Sequence, residues 1–178
     1  MSSAPGSARA ATSRAIHDTG DVALRANDGG VYDDLHIVRN ELHHTNGTGE
    51  GMYLGCNENG CQVANSVIEW NWVHDTDGPT VEQGDGIELK EGSYDNVIRD
   101  NVVHDTNYPC ILTYSTRGNG GPNIIERNVL WGCGDHGIQS AADAVKDAGI
   151  VITMLPAGQH VSEVYLESIL PNARKDAL

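Results

Sequence analysis

Short apolar segments with a variable central residue recur along the chain: Val22-Ala23-Leu24, Met52-Tyr53-Leu54, Ile87-Glu88-Leu89, Ile111-Leu112-Thr113 and Ile138-Gln139-Ser140. Their outer positions are mostly apolar and the central one changes. That is the period-2 pattern of a strand with one buried face. Turn-forming runs bound them, among them Asn27-Asp28-Gly29-Gly30, Asn46-Gly47-Thr48-Gly49 and Gly118-Asn119-Gly120-Gly121. Between residues 20 and 140 no stretch sustains a 3.6-residue period.

A second pattern sets the architecture. Aligned on Asn40, Asn71, Asn101 and Asn128, the chain repeats at spacings of 31, 30 and 27 residues. Ile37, Ile68, Ile98 and Ile125 lie three residues before each Asn. Leu42, Val73, Val103 and Leu130 lie two residues after it, and a ring follows: His43, His74, His104, then Trp131. An earlier partial copy runs from Arg14 through Ile16-His17-Asp18-Thr19. A period in this range means units that bury a core only by stacking. Two or three short strands per unit predict a mostly β protein, a right-handed parallel β-helix of about four to five coils over residues 14–140.

Stacking turns each repeat position into a column with rungs ~4.8 Å apart. Glu69, Arg99 and Glu126 then predict a ladder of alternating charge. The Asn column reads as structural, with side-chain amides bonding one another and the backbone. The ring column invites a metal, but Trp131 occupies its last rung, so the position calls for a flat ring rather than a ligand.

The segment Val97-Ile98-Arg99-Asp100-Asn101-Val102-Val103 resembles the repeat of right-handed β-helix proteins related to pectate lyases, over roughly residues 14–140. The resemblance implies the fold, and an extracellular location in the parent family. It leaves function open, because the fold carries lyases, hydrolases, epimerases and non-catalytic adhesins.

Composition narrows the partners. The chain has 178 residues and a formal net charge of −14, which argues against nucleic acid and against anionic membrane surfaces. Saccharides, neutral or bridged by Ca²⁺, remain. Phe is absent and Gly numbers 21, which suits a thin core of Val, Ile and Leu. The first residues, Met1 to Ser7, lack the apolar centre of a signal peptide, and residues 1–13 are expected to be disordered. Ile16 enters in mid-coil, so further coils are expected upstream. Cys56 and Cys61 either form a disulfide across a small loop or stay reduced. Cys110 and Cys133 read as small buried apolar residues. Zinc is not expected, since Cys-x₄-Cys has no second pair.

After Ser140 the character changes. Residues 141–178 read as a helix–strand–helix appendage. Its segment Asp147 to Tyr165, DAGIVITMLPAGQHVSEVY, resembles a fragment of the 3-hydroxyisobutyrate dehydrogenase family. That resemblance implies an NAD(P)-dependent oxidoreductase, but only a part of one. Gly132-Cys133-Gly134-Asp135-His136-Gly137 matches the dinucleotide-binding glycine pattern, yet no acid ends the next strand to hold a ribose, and Gly137-Ile138 fits the coil repeat. NAD(P) is therefore not expected to bind. The tail is either the remnant of a fused segment or a cap recruited for the solenoid end.

With the ends of each triplet pointing inward, Tyr53, Glu88, Leu112 and Gln139 form one outward column, and Lys90 and Tyr114 stand two residues along. Tyr53, Tyr114 and Gln139 are candidate contacts for a polysaccharide. Asp75, Asp77, Glu82, Asp85 and Glu88 crowd one coil and are candidate Ca²⁺ ligands. The run Glu88-Leu89-Lys90-Glu91-Gly92-Ser93, with Asn96 and Arg99 after it, resembles the chondroitinase B and alginate lyase type. That resemblance implies Lys90 as the base that takes a proton beside a uronate carboxylate, Glu88 as a calcium ligand and Arg117 as an acid. Three readings follow: a carbohydrate-active lyase or hydrolase in truncated form, a non-catalytic binding module, and a dehydrogenase-like segment without a complete site.

Overall fold

Like triplets pair across successive coils, and this pairing builds the molecule. The structure, a computed structural model, describes residues 9–10, 15–17 and 22–140, with side chains from residue 22 onward. In chain order the first strands are β1 (Arg9–Ala10), β2 (Ala15–His17) and β3 (Leu24–Ala26). The next coil holds β4 (Gly30–Asp33), β5 (His36–Val38), β6 (Glu41–His43) and β7 (Met52–Leu54). Then come β8 (Cys61–Ala64), β9 (Val67–Glu69), β10 (Trp72–Thr76) and β11 (Ile87–Leu89). The fourth coil is β12 (Val97–Arg99), β13 (Val102–Thr106) and β14 (Ile111–Thr113); the fifth is β15 (Ile124–Glu126), β16 (Val129–Cys133) and β17 (Ile138–Ser140).

Strands one coil apart form three five-stranded sheets: β1-β5-β9-β12-β15, β2-β6-β10-β13-β16 and β3-β7-β11-β14-β17. Every pairing whose register is known is parallel. This is a parallel β-helix of five rungs. β4 and β8 add a small fourth sheet where two coils are long enough to spare residues.

Register follows the sequence columns: Ile37, Ile68, Ile98 and Ile125 align, as do Leu42, Val73, Val103 and Leu130. Met52, Leu54, Ile68, Val73, Ile87, Leu89, Ile98, Val103 and Ile111 are fully buried. Each such side chain contributes roughly 2 kcal/mol relative to exposure. Two expectations shift. Leu24, not Val22, aligns with Met52, so the first triplet lies two residues further on and places Arg25 opposite Tyr53. Arg9–Ala10 pairs with His36–Ile37, so part of the segment expected to be disordered joins the first sheet. The helix–strand–helix expected over 141–178 lies outside the described residues.

Polar ladders hold the corners. Asn71 Nδ2 donates to Asn101 Oδ1 at 2.9 Å and to the Ile37 carbonyl, and Asn101 repeats both bonds to Asn128 and the Ile68 carbonyl. Before each Asn stands a residue at positive φ: Arg39, Trp70, Asp100 and Arg127, all between 54° and 57°. That left-handed residue turns the chain between sheets, and the Asn amide satisfies the backbone groups the turn exposes.

The ring column stacks as expected. His43 and His74 centroids lie 5.0 Å apart, His74 and His104 5.2 Å, and His104 and Trp131 4.1 Å, with interplanar angles of 3°, 11° and 10°. His104 Nδ1 donates to Asp105 Oδ2 at 2.8 Å, while its Nε2 accepts from Trp72 Nε1 at 2.8 Å. Both nitrogens are thus engaged within the protein. The charge ladder forms only in part: Arg99 pairs with Glu69 at 2.7 Å, but Glu126 pairs with its neighbour Arg127 at 2.6 Å. Arg127 also reaches Asp100, which draws it across the corner.

Both cysteine pairs are bonded. Cys56–Cys61 closes the small loop. Cys110–Cys133 joins the residue just before β14 to the end of β16, which corrects the reading of these two as lone apolar residues. Among the described residues no helix is long and apolar enough to cross a membrane.

Candidate functional site

Four ionisable side chains are buried on the outer side of the third sheet. Glu50, Asp85 and Glu88 are each 1% exposed and Lys90 is 5% exposed. Burying charges costs several kcal/mol per ion unless they are paired, so such a group is a place to look for function.

Backbone register brings them together. Glu88 is the middle residue of β11, opposite Tyr53 of β7 and Leu112 of β14. Its side chain points away from the core, yet it is not solvated. Glu50 and Asp85 each stand two residues before an aligned strand residue, Met52 and Ile87. They therefore stack one coil apart, and Gly51 N–H donates to the Asp85 carbonyl at 2.8 Å. The glycine between acid and strand is required: a Cβ on Gly86 would sit 2.5 Å from the Cys110 carbonyl oxygen and collide with Val103.

Lys90 donates a hydrogen bond to Glu88 Oε1. Its Nζ lies 4.4 Å from the Tyr53 ring centroid and 5.2 Å from that of Tyr114. Both tyrosines are half-buried, so they wall the ammonium in while showing part of each ring to solvent. Burial pulls the Lys90 ammonium down, but the hydrogen bond and charge of Glu88 outweigh it and hold it above its ordinary value. Burial pushes the Glu88 carboxyl up, against the hydrogen bond from Lys90. Burial also pushes Asp85 up, to about 7, with the charges of Glu88 and Glu50 adding to it.

The sequence-derived candidates separate here. Tyr53, Asp85, Glu88, Lys90 and Tyr114 come together. Gln139 is exposed on β17 in the last described coil. Arg117 is exposed in a turn at φ 55° and pairs with Glu91 at 2.9 Å. Asp75 is held by His74 at 2.7 Å, which keeps its carboxyl below the usual range. Asp77 lines a separate concavity with His44, Thr45, Asn46 and Asp75, and Glu82 is exposed. Among the described residues the one cluster of carboxylates close enough to share a cation is Glu50, Asp85 and Glu88. Asp75, Asp77 and Glu82 are not part of it. The base reading of Lys90 calls for a depressed pKa, whereas the hydrogen bond and charge of Glu88 raise it here.

Glu50 was missed. Its signature is nonetheless in the sequence: Glu50-Gly51-Met52 and Asp85-Gly86-Ile87 repeat acid, glycine, apolar in adjacent coils.

The fold and these ladders define a parallel β-solenoid protein with a buried charged cluster on one outer face. A family model described as right handed beta helix region matches residues 10–146, and the chain belongs to that family. The NAD binding domain of 6-phosphogluconate dehydrogenase is similar over residues 126–178. Of that stretch, residues up to 140 include strands of the solenoid, and the glycine pattern Gly132–Gly137 leads into β17 rather than a helix. Comparison with curated proteins and with solved structures yields no match.

Proposed function

We propose that the protein binds a polysaccharide on the outer face of the third sheet, at Tyr53, Lys90 and Tyr114. The observation that carries this is the ammonium held between two half-buried tyrosine rings in adjacent outward columns. Aromatic rings stack on the apolar side of a sugar ring, and the ammonium walled in behind them holds both rings in place. Parallel rungs repeat along the solenoid axis, which suits a polymer lying across several coils.

We read Lys90 as a fixed positive charge rather than as a base, because the hydrogen bond and charge of Glu88 hold the proton on the ammonium. We therefore favour the binding-module reading over the uronate-lyase reading in which Lys90 abstracts a proton. The two disulfides fit export to an oxidising compartment.

Affinity electrophoresis against pectin, alginate, chondroitin and neutral glucans tests the reading. Retardation by at least one polymer is expected, with Tyr53→Ala and Tyr114→Ala each weakening it about tenfold. No retardation by any of them contradicts it. A rise in ultraviolet absorbance from unsaturated products would return the lyase reading.

A further inference from the structure

Glu50, Asp85 and Glu88 each keep a buried carboxylate oxygen with no hydrogen-bond partner. One oxygen from each lies within 4.8 Å of the others. The fixed cation beside them, Lys90, engages one oxygen of Glu88. With all three carboxylates ionised, the one ammonium leaves two negative charges uncompensated, in a place where each carboxylate is 1% exposed. An unpartnered buried carboxylate costs several kcal/mol, and nothing in the solenoid repeat requires an acid at these positions. The first coil of the third sheet has Arg25 where β11 has Glu88, and the fourth has Pro109 where Glu50 and Asp85 stand.

We propose that Glu50, Asp85 and Glu88 form a divalent-cation site, and that its cation is Ca²⁺. A charge of two balances the cluster. The donors are all hard oxygens, with neither His nor Cys among them, which disfavours zinc and softer metals. Ca²⁺ accepts six to eight oxygens in irregular geometry, whereas Mg²⁺ demands an octahedron and holds its waters, which a niche of three buried carboxylates admits poorly. This inference stands apart from saccharide binding, since it rests on the carboxylates and not on the tyrosines.

The test is calorimetric titration of CaCl₂ into the full chain after chelation and dialysis, with thermal melts alongside. One Ca²⁺ per chain is expected, with a melting temperature that rises with Ca²⁺ and falls with chelator. Glu50→Gln and Asp85→Asn should each weaken binding at least tenfold, and Asp77→Asn should leave it unchanged. Absence of Ca²⁺ binding by the folded parent chain, or unchanged affinity in both cluster variants, overturns the proposal. Should the amide variants fail to fold, Tb³⁺ luminescence of the parent decides it. Emission sensitised through tyrosine, displaced by Ca²⁺ and reduced when Tyr53→Phe and Tyr114→Phe are combined, supports the site. Emission indifferent to that double variant places the ion elsewhere and overturns it.

Discussion

Lys90 is bonded to Glu88 two residues earlier in the chain, and both are buried on the outer side of a sheet that a solenoid would normally leave in water. Removing one partner leaves the other charged and unpaired. In chelator, Lys90→Met is expected to destabilise the protein by about 4 kcal/mol in urea unfolding. The double variant Glu88→Gln with Lys90→Met should recover most of that loss. A single-variant cost under about 1 kcal/mol would mean that water reaches the pair.

Stability of the chelated protein should depend on pH through the same cluster. The folded-state pKa of Asp85, at about 7, lies above its ordinary value of 3.8. The folded protein therefore holds a proton that the unfolded chain has released, and stability falls as pH rises from about 4 through 7. Glu88, also raised, acts in the same direction. Lys90 acts only in strong alkali, where its raised pKa makes its contribution disappear last. Melts from pH 4 to 8 in chelator should show the fall, and Asp85→Asn should flatten it. A melting temperature that rises over that interval contradicts the assignment.

Asn101 occupies an internal rung of the Asn ladder and is fully buried, whereas Asn40 is only half-buried. Asn101→Ala removes its bonds to Asn128 and the Ile68 carbonyl, and takes the Oδ1 acceptor from the Asn71 backbone N–H and side-chain amide. A loss of about 3 kcal/mol is expected, and about 1 kcal/mol for Asn40→Ala. Equal losses, read by denaturant unfolding, would show that burial does not set the strength of the ladder.

Both disulfides contribute, unequally. Cys110 and Cys133 are 23 residues apart and Cys56 and Cys61 five. Chain entropy predicts about 3 kcal/mol for the first and about 2 kcal/mol for the second. Paired Cys→Ser variants compared by thermal melts test the order, and a larger effect at the short loop would reverse it.

The columns were legible because repeat period and strand alternation are local properties of the chain. Ile68, Asn71, Val73 and His74 could each be placed against Ile98, Asn101, Val103 and His104 by spacing alone. The first triplet slipped by two because Val22-Ala23-Leu24 and Leu24-Arg25-Ala26 both alternate, and a shift of two keeps the same face inward. The burial of Glu88 was not legible, since its position on β11 points outward and Glu50 of the preceding coil joins Asp85 and Lys90 of its own coil around it. Contiguity misled the calcium set: Asp75 sits at φ 51° and turns toward His74, while Glu50 arrives from a coil 35 residues earlier than Asp85. The Cys110–Cys133 bond joins the fourth coil to the fifth, which only the folded register reveals.

The most direct measurement of the binding face is an amide and side-chain NMR footprint with an oligosaccharide of whichever polymer retards the protein. The account predicts shifts centred on Tyr53, Glu88, Lys90 and Tyr114, with the exposed rings of Trp72 and Trp131 unchanged. A footprint on Trp72, His104 and Trp131, with Tyr53 and Tyr114 silent, would move the site to the second sheet and contradict it.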